Sequence, residues 1–106
     1  MILVEVDAGS CGFTTQIGVT KTDDRTVSVS ISSDCEAVEK WGGQLGSVNW
    51  RECLGENTFS SQIFISAAEC LKHPACPVYI GLLKAIEVEI GASLPADATI
   101  RFLPGE

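Results

Sequence analysis

The side chains best suited to chemistry in this chain are its five cysteines and its single histidine. Cys70, His73 and Cys76 form a C-x2-H-x2-C run interrupted by Pro74. Cys70 and His73 have the spacing of one helical turn and would share a helix face. Pro74 breaks that helix, and Cys76-Pro77 suits the opening of another, because proline has no N–H to lose in a first turn. Three potential ligands therefore meet at one helix-to-helix corner. Cys11 lies between Gly9 and Gly12, where the backbone can bend close to a bound atom. Cys35 falls in or beside the first turn of a helix, where free N–H groups and the dipole favour a thiolate. Cys53 belongs to neither group and reads as filler in the core or at the surface.

Thiolates in this number point first to metal. In a reducing compartment, clustered cysteines bind metal or do redox chemistry more often than they form bridges. Zinc sites usually pair two short C-x2-4-C knuckles, and cluster ferredoxins carry their cysteines in one dense run. This chain has neither pattern, but four cysteines from scattered loops suit zinc and iron–sulfur clusters alike. The expected ligands are Cys11, Cys35, Cys70 and Cys76, with His73 in reserve. The alternatives are a redox dithiol, drawn from Cys11 with Cys35 or Cys70 with Cys76, and cysteines that only pack.

The hairpin between residues 13 and 33 argues that the two cysteine groups meet. Phe13, Thr15, Ile17 and Val19 share one face of one strand, and Val27, Val29 and Ile31 share one face of the next. Thr22-Asp23-Asp24-Arg25 between them is turn chemistry. A turn centred on residues 22–24 sets Phe13 opposite Ser33 and Ile17 opposite Val29. The same register carries Cys11 opposite Cys35, at the open end of the hairpin and on its apolar face. Opposed side chains have Cβ atoms about 4.5–5.5 Å apart.

The remaining elements follow from period and punctuation. Residues 1–7 alternate as a strand, with Ile2, Val4 and Val6 on one face. Ser33 and Glu36 have capping-box spacing, with Asp34 as a competing cap, and Val38, Trp41 and Leu45 follow at helical spacing until Gly42-Gly43 weakens or ends the helix. Residues 46–60 carry no clear period. Asn49 and Glu52 there suit the cap of one short turn holding Trp50 and Cys53, and Gly55, Asn57 and Thr58 read as loop. Residues 61–72 predict a helix, with a strand through Ile63-Phe64-Ile65 as the alternative; residues 77–90 predict another helix, and Gly91 suits the left-handed position past its end. Residues 97–103 alternate again, with Ala98, Ile100 and Phe102 on one face, and read as a final strand. The result is one α+β domain over residues 1–106: β-β-β, then helices, then β, with the helices on one face of a mostly antiparallel sheet.

Composition closes off several functions. With 106 residues, the chain has the length of one ordinary domain. Its formal charge of −7 argues against nonspecific nucleic-acid binding, which needs basic patches, and against anionic membranes. No apolar run approaches the ~20 residues that span a bilayer. Met1-Ile2-Leu3-Val4 leads straight into Glu5 and Asp7, without the basic region of a targeting signal, so the expected address is cytoplasmic. The sequence has no nucleophile elbow, phosphate loop or H-E-x-x-H, which favours a role without catalysis. An acidic surface permits docking to a basic protein partner, redox partners included.

The set Cys11-Gly12-Phe13-Thr14-Thr15, Ser33-Asp34-Cys35-Glu36, His73-x-x-Cys76-Pro77-Val78 and Leu83-Lys84-Ala85-Ile86-Glu87-Val88-Glu89 resembles a family of small uncharacterised cysteine proteins of anaerobic archaea and bacteria. The resemblance implies an anaerobic setting, which raises iron–sulfur over zinc. More loosely, the chain is similar to the small metal-binding domain named for its Thr-Ser-Cys-Pro-Asp motif, found in the metal-binding tails of some ribonucleotide reductases. Here that motif reads Pro74-Ala75-Cys76-Pro77-Val78, without the Thr-Ser or the Asp, so only the candidate ligands carry over. The expected function is a small protein holding one iron–sulfur cluster as electron carrier, cluster carrier or sensor. A zinc-binding structural or accessory domain and a thiol-redox or interaction module are the alternatives.

Overall fold

Alternation of inward and outward side chains makes the first third of the chain into three strands. The computed structural model, which describes residues 1–55 and 58–105, has β1 at Ile2–Asp7, β2 at Thr14–Lys21 and β3 at Thr26–Ser33. Ile17, Val19, Val27 and Val29 point inward and are buried, while Gln16, Ser28 and Ser30 on the opposite parity face out. Helix α1 (Glu36–Leu45) follows, then β4 (Ser47–Asn49), the short α2 (Trp50–Cys53), a single 3-10 turn at Thr58–Ser60, α3 (Gln62–Cys70) and α4 (Val78–Glu89). The four strands pair antiparallel in the order β1-β2-β3-β4. The fold is α+β, and among the described residues no helix is long and apolar enough to cross a membrane.

Two glycines set how closely the helices lie on the sheet. A Cβ at Gly42 would come within 2.7 Å of Ile31 Cβ, and one at Gly81 within 2.5 Å of Val6 Cγ2. Neither distance is tolerable, so only glycine lets α1 approach β3 and α4 approach β1 this closely. Gly42-Gly43 therefore does not end α1, as its helix propensity predicts; the helix runs on to Leu45. Packing outweighs a propensity penalty of about 1 kcal/mol per glycine. Trp41, fully buried, completes the layer by donating its Nε1–H to Ser66 Oγ of α3 at 2.9 Å.

Three further expectations are corrected. The hairpin register differs by two residues: Ile17 faces Ile31 and Thr15 faces Ser33. Asp23 causes this, because its carboxylate accepts from both Arg25 N–H and Thr26 N–H at 2.8 Å and so widens the turn. A shift of two preserves parity, so every side chain keeps its face. The cap of α1 is Cys35 itself, and Glu39, not Glu36, reaches back to accept from Ser33 N–H at 2.6 Å. Residues 97–103 form no strand, and the fourth strand is Ser47–Asn49 instead. Gly46, at φ 54°, reverses the chain after α1, and Val48 then pairs with Val27. Three residues are too few for alternation to show in a sequence. In the least readable stretch, Asn49 does cap α2, its side chain accepting from Arg51 N–H at 3.0 Å. Of the expected loop there, Asn57 lies outside the described residues.

Candidate metal centre

The open end of the hairpin, the start of α1 and the start of α4 enclose a cleft of about 430 Å³. Cys11, Cys35, His73 and Cys76 all line it. Cys11 reaches it from a turn closed by Gly12 N–H donating to Gly9 O at 2.9 Å. Gly9 and Gly12 sit at φ 88° and 76°, a region that side-chain-bearing residues avoid. Cys35 lies at the N-cap of α1, its own N–H donating to Ser33 Oγ at 3.1 Å. With the register shifted by two, Cys11 and Cys35 are not cross-strand partners. They share the cleft because the Gly9–Gly12 turn and the N-cap of α1 both lie at the hairpin's open end.

The helix corner behaves differently from its sequence reading. Helix α3 stops at Cys70, and Leu71 turns extended at φ −81° and ψ 136°. The position before a proline resists helical backbone, so His73 ahead of Pro74 could not have continued α3. Cys70 and His73 are therefore not neighbours on one helical face. His73 instead pairs with Cys76, which donates its N–H to His73 O at 3.2 Å, and Tyr79 Oη donates to Pro74 O at 2.9 Å. Cys70 does not line the cleft; its thiol donates to Gln44 Oε1 at 3.3 Å. Cys53 is the buried cysteine, at 1% exposure, and loss of water pushes its thiol pKa up, so it stays protonated inside the core.

The cleft also holds residues that cysteine spacing does not reveal. Asp34, Glu36 and Lys72 contribute charge to its lining. The two carboxylates make a wall that favours a cation. Phe13 and Thr15 also line it, and the hairpin's inner-face parity is the signal that finds them. Thr15 Oγ1 donates to Ser33 Oγ at 2.8 Å and so ties the two strands at the cleft floor. Among the described residues, no three His, Cys, Asp or Glu side chains stand close enough together to hold one metal ion.

The chain belongs to a family of unknown function, DUF6951, whose model matches residues 2–102. No curated protein and no solved structure matches it.

Proposed function

We propose that this chain is a small metal-binding protein that holds one iron–sulfur cluster in the cleft, as an electron carrier, cluster carrier or sensor. One observation carries the reading. Thiols from the β1–β2 turn, the start of α1 and the approach to α4, with one imidazole, line a single cleft. The donor set fits the group, since soft thiolates are its ordinary ligands. Cys11, Cys35 and Cys76 would supply three, and His73 the fourth position. A cluster asks less of this arrangement than zinc does. Four thiolates on one zinc must close to about 3.8 Å of each other, given Zn–S bonds of about 2.3 Å. The ligands of a four-iron cluster each bind a different iron and stay further apart. The resemblance to cysteine proteins of anaerobes favours iron in the same direction. When bound, such a cluster supplies one-electron chemistry at a potential set by burial and by hydrogen bonds to its sulfurs. The chain's own residues would bind it through the cleft thiols, shield one side with Val38 and Val78, and present the acidic wall to a basic protein partner.

The test is purification without oxygen, with a visible spectrum and iron, sulfide and zinc counted per chain. The expected result is broad absorption near roughly 400 nm with bound iron and sulfide. Cys76→Ser should abolish it, and Cys70→Ser should leave it in place. A colourless protein with one zinc would convert the site to a structural or Lewis-acid one. A folded, metal-free protein would discard the reading and leave a dithiol, to be scored by thiol titration with and without reductant.

A further inference from the structure

The segment after α4 has the pattern of a strand and no strand beside it. Leu94, Ala96, Ala98, Ile100 and Phe102 alternate with Asp97, Thr99 and Arg101. Yet residues 94–105 have no regular structure. Ile100 is 88% exposed and Phe102 98%. Large apolar side chains held in water in this way mark an interaction surface. The helix end directs the segment outward: Gly91 sits at φ 82°, and Ala92 N–H donates to Glu87 O at 2.8 Å. The molecule accordingly extends 48 Å along one axis against 28 and 25 Å along the others.

The sheet has a matching vacancy. β1 is an edge, paired only with β2 among the described residues. An edge of this kind is a template for another strand. The core is also open there. Ile2 and Val4 point to the helix side yet are half-buried, whereas Ile17 and Val19 on the adjacent strand are fully buried.

We infer that residues 99–103 of one chain add as an antiparallel strand to the Leu3–Asp7 edge of β1 in a second copy, reciprocally, to make a symmetric dimer. The segment commits to a second copy because it leaves its own body and carries the side chains that β1 lacks. In the register that sets Ile100 opposite Val6, Phe102 falls opposite Val4, and both extend the core face. On the outer face Arg101 falls opposite Glu5 and Leu103 opposite the exposed Leu3. Cross-strand pairs of these kinds each favour pairing. Pro104 has no N–H to give a ladder, so the added strand ends at Leu103, and the end of β1 at Asp7 sets its start at Thr99. Backbone bonding supplies affinity and the alternate side chains supply register, as in other strand additions. Reciprocal exchange closes the assembly at two chains.

The experiment is sedimentation velocity on the full chain over a dilution series, with amide exchange followed on the same samples. The expected result is a dimer in which amides within residues 99–103 are protected, with that protection lost on dilution. Phe102→Asp, at a fully exposed position in the single chain, should halve the mass without changing the melting of the monomer. Glu5→Arg should weaken the dimer, and Glu5→Arg combined with Arg101→Glu should restore it. A monomer at every concentration overturns the proposal, whether its segment is free or protected on its own β1. So does a dimer that Phe102→Asp leaves intact, a larger assembly, or a failure of the charge swap to restore pairing.

Discussion

The two ends of the hairpin are held very differently. At the closed end, backbone groups and the Asp23 carboxylate are bonded into the fold. Asp23 accepts from Arg25 and Thr26, Arg25 O accepts from Trp50 N–H at 2.9 Å, and Lys21 N–H donates to Glu89 Oε2 at 2.8 Å. These bonds fix the turn, tie it to the start of α2 and dock the end of α4. At the open end the backbone is just as well defined, through Gly9, Gly12 and the Cys35 cap, but the thiols of Cys11, Cys35 and Cys76 face a cleft. The closed end spends its polar groups on the fold; the open end holds reactive groups that the fold does not use. Sites that break local consistency without a structural return are where function concentrates.

Three measurements break or sharpen this contrast. The largest effect belongs to the frame that both ends share. Trp41→Ala removes a fully buried ring and leaves Ser66 without its donor, and should lower stability by about 3–5 kcal/mol in a denaturant melt. A loss below about 1 kcal/mol would mean that α1 and α3 do not hold the two ends in common.

A smaller effect is expected at the closed end. Asp23 has its carboxyl pKa held below the ordinary carboxylate value, chiefly by the Arg25 backbone N–H. A lowered folded-state pKa stabilises above the unfolded value of about 3.9, and that contribution fades as pH falls through the folded value. Asp23→Ala should therefore lower the melting temperature at neutral pH, and the gap to the parent should close in acid. A gap that persists once the carboxylate is protonated would show that its charge is not what fixes the turn.

The smallest effect on stability belongs to the open end. Cys11→Ser in metal-free protein should change stability by no more than about 0.5 kcal/mol, because the side chain is exposed and packs against nothing essential. The same substitution should remove the proposed cluster. A large loss of stability in the metal-free protein would make Cys11 a structural residue and erase the difference between the ends.

Much of the frame is legible in the residues. Alternation gives β1, β2 and β3 to within one residue at their ends, and Asn49 and Pro77 mark the starts of α2 and α4. Face assignment on the hairpin also holds, and Cys11 and Cys35, from the turn before β2 and the cap after β3, line one cleft despite a register two residues from the expected one. What misleads is local pattern read without its partner. Gly42-Gly43 looks like a helix end until Ile31 is set against it. Cys70 and His73 look like neighbours on a helix that stops before joining them. Residues 97–103 look like a strand of this sheet, yet the chain turns them away from it.

The sequence by itself determined the periods, the inward and outward faces, the turn residues and the supply of thiols, because these depend on neighbours along the chain. The tertiary structure alone decided which thiols share a cleft, that Cys53 is core and Cys70 lies apart, and that three residues rather than seven complete the sheet. Those outcomes depend on contacts between residues far apart in sequence, where a side-chain bond such as Asp23 to Thr26 or the missing Cβ of a glycine settles a register or a distance that no local pattern records.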